Sequence, residues 1–119
     1  MDPAILITLW EILESRYRDR PQGSYTTFLF EHGVDKIAKK VGEEAVEVAI
    51  AAKNAMGNGG NGPSSANGDA TAIAASSAES GREELAAESA DLLYHLLALW
   101  KLTGLNPDDV FQVLRERHR

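Results

Sequence analysis

Apolar side chains recur at every third or fourth position over residues 5–17, which places them along one face of an α-helix. Asp2 followed by Pro3 is a typical helix beginning, with an N-cap residue and then a proline at the first helical position. Pro21 and the glycine that follows shortly after it are helix breakers. The pattern therefore predicts a first helix that ends before Pro21.

Two more helices are predicted directly after this break. Residues 24–32 have hydroxyl side chains in front and large apolar ones behind, which predicts two turns of helix with Gly33 closing the C-terminus. Residues 34–56 predict a long helix whose many alanines favour close approach of another helix. Gly42 lies inside it at a cost of about 1 kcal/mol relative to alanine. Either a packing partner or a ligand close to the backbone would explain that glycine.

Residues 57–80 have a different composition, rich in glycine, asparagine, serine and alanine, with Ile73 as the single large apolar side chain. Such a segment buries too little surface to offset its ordering entropy, which predicts a flexible loop with no chemistry of its own. Ser80 and Glu83 have the spacing of a capping box. We therefore expect the next helix to begin at Ser80 and to end near Leu102.

A last helix is predicted from Asn106 and Pro107, an N-cap and a first-turn proline, and it ends in basic residues that complement the helix dipole. The helix before it has an apolar face too wide to be covered from one side only. A length of 119 residues fits one domain with a modest core. The expected fold is all-α: a single domain, residues 1–119, with four to five bundled helices completed by dimerisation and a flexible loop at 57–80.

Composition and charge narrow the classes of function. The apolar fraction of 44% and the charged fraction of 25% are ordinary for a globular protein. A net charge of −6 argues against sequence-independent binding of nucleic acid. The chain has no cysteine, which excludes disulfides and thiolate metal sites. The apolar opening at residues 4–10 lacks a basic leader and is too short to span a bilayer, so we expect a cytoplasmic protein without membrane contact.

Carboxylates lie one helical turn apart on two of the predicted helices. Glu44 and Glu47 form one such pair, with Glu43 beside them, and Glu88 and Asp91 form the other. Antiparallel packing of the two helices would bring both pairs to one point. Oxygen ligands of this kind suit a hard cation, Mg²⁺ or alternatively Mn²⁺.

Each of these residues also has an ordinary structural explanation. Glutamates are common on solvated helices, and Glu43 is as easily a surface residue as a ligand. Asp91 is the hardest to explain in this way, because aspartate is a poor helix former and lies here in a strongly apolar helix. A single histidine such as His95 is more often a hydrogen-bonding partner than a metal ligand.

Three lysines precede the first acidic pair: Lys36, Lys39 and Lys40. They either form ion pairs with glutamates on the same helix or contact phosphates that extend from the metal. Mg²⁺ held by carboxylates usually keeps several waters and meets substrate phosphates. The residues therefore favour metal-dependent hydrolysis of a phosphoanhydride, and they leave the substrate open.

Three stretches resemble the phosphoribosyl-ATP pyrophosphatase family, which belongs to the all-α NTP pyrophosphohydrolases of the MazG type. They are Ser24-Tyr25-Thr26, residues 36–47 (KIAKKVGEEAVE) and residues 88–95 (ESADLLYH). The similarity covers roughly residues 9–56 and 82–114. The two acidic motifs are typical of the superfamily, and the residues around them are typical of the histidine-pathway member. The distance from Glu47 to Glu88 exceeds the usual family spacing by about the length of the 57–80 segment.

The resemblance implies hydrolysis of phosphoribosyl-ATP to phosphoribosyl-AMP and pyrophosphate, the second step of histidine biosynthesis. It also implies a helical homodimer. With no cysteine and no room for another domain, the chain is expected to leave the next step to a separate cyclohydrolase. The implied metal ligands are Glu44, Glu47, Glu88 and Asp91, with Glu43 as a further ligand or as the base that orients water. The implied substrate-binding residues are Lys36, Lys39, Lys40, Ser24, Tyr25, Thr26 and His95.

Two other functions stay open at this point. One is a MazG-like enzyme that removes other nucleoside triphosphates, which would also release pyrophosphate. The other is a non-catalytic helical bundle whose acidic stripes are merely solvated.

Overall fold

Five α-helices make up the part of the chain that the structure describes. The computed structural model describes residues 1–57 and 68–118, with the backbone alone for 68–77. The helices are α1 (Ala4–Asp19), α2 (Tyr25–His32), α3 (Val34–Ala55), α4 (Gly68–Thr103) and α5 (Pro107–Arg117). Within the described ranges there is no strand. The predicted all-α fold with four to five helices is confirmed.

The local signals at the helix ends act largely as expected. The Ser24 hydroxyl accepts a hydrogen bond from the Thr27 amide at 3.3 Å and caps α2. Gly33, which follows α2, has a φ of +87°, a conformation that favours glycine. α5 begins with a full capping box between Asn106 and Asp109. At α1, Pro3 occupies the N-cap position instead of the first helical position, one residue away from the prediction.

The start of α4 differs from the prediction. The helix begins at Gly68, so the predicted capping box at Ser80 is wrong and residues 68–80 are helical. The remainder of the predicted loop, at 58–67, lies outside the described residues. Alanine is the strongest helix former and recurs through residues 70–78. Extending an existing helix avoids a new and costly nucleation, so the run continues the helix that follows it.

The chain forms two compact units, of which the first comprises Met1–Val41 and Leu93–Arg119. Its hydrophobic core is a cluster of buried side chains from four helices: Leu13, Leu29, Phe30, Ile37, Leu97 and Ala98. Aromatic residues surround this cluster, and the Lys101 ammonium lies 5.7 Å and 5.3 Å from the ring centroids of Trp10 and Tyr17. Burial and cation–π contacts therefore stabilise this unit.

The second unit, Gly42–Leu92, contains the C-terminal half of α3 and the N-terminal part of α4. A Cβ atom built on Gly81 would lie 2.6 Å from the Ala55 backbone nitrogen. The two helices therefore touch through their backbones, as the alanines of α3 predicted. Gly42 differs, since apart from the adjacent residues and the nearby backbone of α3 no described atom lies within 4 Å of a Cβ built there. Packing against the described residues does not explain that glycine.

None of the helices in the described ranges has both the length and the apolar character that a bilayer span requires.

Candidate metal centre

Three of the predicted carboxylate ligands meet inside the second unit. Glu44 from α3 and Glu88 and Asp91 from α4 each offer an oxygen atom, and these three atoms lie within 4.8 Å of one another. Glu88 and Asp91 are one turn apart, so both face the same side of α4. The predicted meeting of acidic residues from the two helices is observed for these three.

Hydrogen bonds and like charges between the carboxyl groups raise the pKa of two of them. The pKa of Glu88 is raised to about 7, first by a hydrogen bond with Glu47, then by desolvation and by the negative charge of Glu47. The pKa of Glu44 is also raised, first by burial and then by a hydrogen bond with Glu47. Two carboxyl groups form a hydrogen bond only when one is protonated. The cluster is thus a place where full ionisation is unfavourable without a cation.

One carboxylate oxygen of Glu88 is buried without a hydrogen-bond donor in the described part of the chain. Its Oε2 atom is shielded from solvent and, among the described residues, has no donor that would satisfy it. A buried carboxylate oxygen without a donor is costly. A bound cation would satisfy this atom.

The donor set fits magnesium. All three candidate ligands are carboxylates, which Mg²⁺ and Mn²⁺ prefer, and the group contains no sulfur ligand. Mg²⁺ binds oxygens at about 2.1 Å, so oxygens bound to one ion lie at most about 4.2 Å apart. The three oxygens, which lie within 4.8 Å of one another, would move closer together to bind such an ion.

The other two predicted carboxylates are placed differently. Glu47 is exposed and forms hydrogen bonds with Glu44 and Glu88, so it borders the cluster. Glu43 is also exposed and, among the described residues, is not part of the group that could hold a metal.

The predicted Ser-Tyr-Thr motif lies in the first unit, at the start of α2. The Tyr25 hydroxyl is 2.9 Å from Nε2 of His95, whose side chain is buried. Thr26 is buried as well, and its hydroxyl forms a hydrogen bond with the Tyr94 hydroxyl. Ser24 acts as the N-cap. The expectation that His95 is a hydrogen-bonding partner is confirmed, and of these residues Tyr25 is the one with an exposed side chain.

Two residues of this region were missed by the sequence analysis. Tyr94 ties α4 to α2 through Thr26, and Phe28 stacks beside Tyr25 with a centroid distance of 6.1 Å. The spacing of Tyr25 and Phe28, one turn apart in a short helix, was the available signal for Phe28. The Lys36 ammonium lies 5.6 Å from the Phe28 ring centroid.

The remaining two predicted phosphate-binding residues also lie in the first half of α3. Lys39 is exposed and Lys40 is half-buried.

Comparison with known proteins gives matches over nearly the whole chain. The bifunctional histidine biosynthesis protein HisIE of Halalkalibacterium halodurans is 48% identical over 115 residues, 97% of this chain and 43% of that protein. The phosphoribosyl-ATP pyrophosphatases of Pelotomaculum thermopropionicum and Streptococcus thermophilus are each 41% identical. This chain covers 92% and 85% of those two proteins. It therefore spans less than half of the bifunctional relative and most of the two pyrophosphatases.

Residues 6–118 match the protein family described as phosphoribosyl-ATP pyrophosphohydrolase, which is almost the entire sequence. The acidic residues from α3 and α4 and the Ser-Tyr-Thr segment all lie inside the matched range. The chain belongs to the phosphoribosyl-ATP pyrophosphohydrolase family.

Proposed function

We propose that the protein hydrolyses phosphoribosyl-ATP to phosphoribosyl-AMP and pyrophosphate, the second step of histidine biosynthesis. The observation that carries the proposal is the three-carboxylate cluster of Glu44, Glu88 and Asp91 in a chain of this family. The two relatives named phosphoribosyl-ATP pyrophosphatase, most of whose length the chain covers, support this activity. The bifunctional relative joins two activities of histidine biosynthesis in one protein, which supports a cyclohydrolase as the partner for the following step.

Magnesium is the proposed cofactor, with manganese as a substitute. Glu44, Glu88 and Asp91 would hold it, and Glu47, which already contacts two of them, is the proposed fourth ligand. The ion would neutralise phosphate charge and lower the pKa of a bound water. Glu43 is the proposed base that orients the attacking water, since it is exposed and lies beside Glu44 in the sequence.

The substrate-binding residues are proposed from the first unit. Lys36, Lys39 and Lys40 would bind phosphates, for which an ammonium group is a suitable point charge. Tyr25 would contact the substrate directly, because its side chain is 47% exposed. The others of this set have positioning roles: Ser24 caps α2, Thr26 is bound to Tyr94, and His95 is bound to Tyr25.

A homodimer is the proposed assembly and the cytoplasm the proposed location. Several large apolar side chains are more than half exposed in the single chain, which supports a covering partner. They are Ile5, Ile7, Val46, Ile50 and Met56. Sedimentation equilibrium of the purified protein would test the dimer.

The activity test combines pyrophosphate release with metal binding. We expect the parent protein with Mg²⁺ to hydrolyse phosphoribosyl-ATP, and Asp91→Ala to lose at least about 100-fold in kcat/KM, since removing even an outer partner of a ligand typically costs 10- to 100-fold. Glu84→Ala is the matched control, because Glu84 is an exposed acidic residue of the same helix. Calorimetric titration should show weaker Mg²⁺ binding in the Asp91 variant only.

Two outcomes would contradict the proposal. A preference for canonical deoxynucleoside triphosphates over phosphoribosyl-ATP would indicate a MazG-like enzyme. An absence of Mg²⁺ binding and of hydrolysis in the parent protein would indicate a non-catalytic bundle.

A further inference from the structure

We propose that Tyr25 and Phe28 form a stacking shelf for the substituted adenine of the substrate, and that Glu31 beside them selects an adenine carrying a ribosyl group on N1. This inference rests on the proposed function, since it concerns the same substrate. It assigns to Phe28 and Glu31 a role in specificity.

The shelf borders an open cavity of about 500 Å³ at the start of α2. Tyr25 and Phe28 line it with side chains that are 47% and 40% exposed, and Gln22 and Glu31 add polar groups. The volume falls within the range of small-molecule sites, which combine aromatic surface with a few placed polar groups. Two aromatic side chains exposed side by side next to hydrogen-bonding groups are suited to a planar heterocycle.

The shelf is held rigidly. The Tyr25 ring stacks with the Phe28 ring and with the Tyr94 ring, at centroid distances of 6.1 Å and 6.2 Å. Its hydroxyl is fixed by the buried His95. The same helix is anchored by buried Leu29. A rigid platform loses little conformational entropy when a ligand binds to it.

The charges around the shelf match one form of adenine. An adenine substituted at N1 behaves as an amidine and takes up a proton near neutral pH, whereas the adenine of ATP stays neutral there. The Glu31 carboxylate lines the cavity, and its negative charge attracts a protonated base. Lys36, which contacts the Phe28 ring, supplies an ammonium for the phosphate of the N1-linked ribose. Phosphoribosyl-ATP has both of these features, and ATP has neither.

The test uses two inhibitors, each of which resembles one end of the substrate. Phosphoribosyl-AMP keeps the base and the N1 substituent, and pyrophosphate keeps only the phosphate end. We expect Phe28→Ala to weaken inhibition by phosphoribosyl-AMP by about 5- to 150-fold, the range for loss of one base-stacking contact. Inhibition by pyrophosphate should be unchanged, and KM for phosphoribosyl-ATP should rise with little change in kcat.

Matched variants control for effects on folding. Phe111→Ala removes a phenylalanine of similar exposure, 38%, from α5, and it should leave both inhibition constants unchanged. Phe28→Leu keeps apolar volume on α2 and should still lose affinity for phosphoribosyl-AMP. Glu31→Gln should reduce the preference for phosphoribosyl-AMP over AMP several-fold, whereas Glu11→Gln, an exposed acidic change on α1, should not.

The possible failures are distinguishable. If the parent protein hydrolyses phosphoribosyl-ATP but Phe28→Ala and Phe28→Leu keep its KM and its inhibition by phosphoribosyl-AMP, the shelf is overturned and the proposed function stands. If the parent neither hydrolyses phosphoribosyl-ATP nor binds phosphoribosyl-AMP, the proposed function itself has failed. A change in sedimentation without a change in inhibition would assign the shelf to a subunit interface and also overturn it.

Discussion

The two compact units of the chain are stabilised in different ways. In the first, six buried side chains form one apolar cluster with aromatic rings around it. In the second, the buried residues among those described are Ala51 and Gly81, and the centre is a group of carboxylates that repel one another. Apolar burial stabilises the first unit without any change of charge, whereas the second gains stability when its charge is neutralised. The comparison implies that metal binding acts on the second unit.

The largest stability effect is expected in the first unit. Leu13 is fully buried, so Leu13→Ala should cost about 2–5 kcal/mol of unfolding free energy. Urea denaturation measures this loss of unfolding free energy. The gain in unfolding free energy on adding Mg²⁺ should be the same in Leu13→Ala as in the parent, because Leu13 lies outside the unit that holds the carboxylates. Ile12→Ala, a change at an exposed neighbour, is the control. A loss of the Mg²⁺ increment in Leu13→Ala would contradict the division into two energetically distinct units.

The next effect concerns the close helix contact in the second unit. A Cβ on Gly81 would overlap the Ala55 backbone, so Gly81→Ala forces α3 and α4 apart at a cost of about 1–3 kcal/mol. The better helix propensity of alanine, worth about 1 kcal/mol, offsets only part of this. Because the same two helices hold Glu44 and Glu88, calorimetry should also show weaker Mg²⁺ binding. Unchanged stability together with unchanged Mg²⁺ affinity would show that the contact is not tight.

The stability of the folded chain should depend on pH because the pKa of Glu88 is raised. The pKa of Glu88 is about 7 in the folded chain and 4.5 ordinarily, so folding favours its protonated form. The resulting stability is fully present below pH 4.5 and is lost as the pH rises through 7. With a chelator present to remove metal ions, raising the pH from 4.5 to above 7 should therefore lower the Tm of the parent protein more than the Tm of Glu88→Gln. Mg²⁺ should restore the parent above pH 7, and Glu84→Gln should behave like the parent.

The helices and the acidic cluster could be predicted from the sequence because both depend on local spacing. Glu44, Glu88 and Asp91 are each placed by the period of a helix, and two helices suffice to bring them together. The start of α4 could not be predicted in this way. Ser80 and Glu83 satisfy a capping rule, but the alanine-rich run before them continues the helix, and the fit of Gly81 against Ala55 depends on a residue far away in sequence.

The aromatic shelf shows a second limit of sequence patterns. Tyr25 belongs to a recognisable motif, but its contact with His95 joins residues 70 positions apart in the chain. The exposure of Phe28 likewise depends on tertiary packing, because a phenylalanine at that position fits a buried helix face equally well. Long-range contacts of this kind are set by the fold and not by local periodicity.

The smallest effect is expected at Gly42, and it separates the two explanations that the sequence left open. Apart from the adjacent residues and the nearby backbone of α3, no described atom lies within 4 Å of a Cβ at this position, so Gly42→Ala fits without strain. It should raise the unfolding free energy by up to about 1 kcal/mol, opposite in sign to the same change at Gly81. Urea denaturation of the two variants side by side measures this difference.

A glycine that costs stability and packs against none of the described residues requires another reason. Two explanations remain, a ligand that approaches the backbone and a contact with a second subunit. If the ligand is the reason, Gly42→Ala should raise KM for phosphoribosyl-ATP despite its higher stability. Sedimentation equilibrium is the control, since a contact with a second subunit would change the assembly instead. If stability rises while KM and assembly both stay at the parental values, then neither explanation of Gly42 is correct.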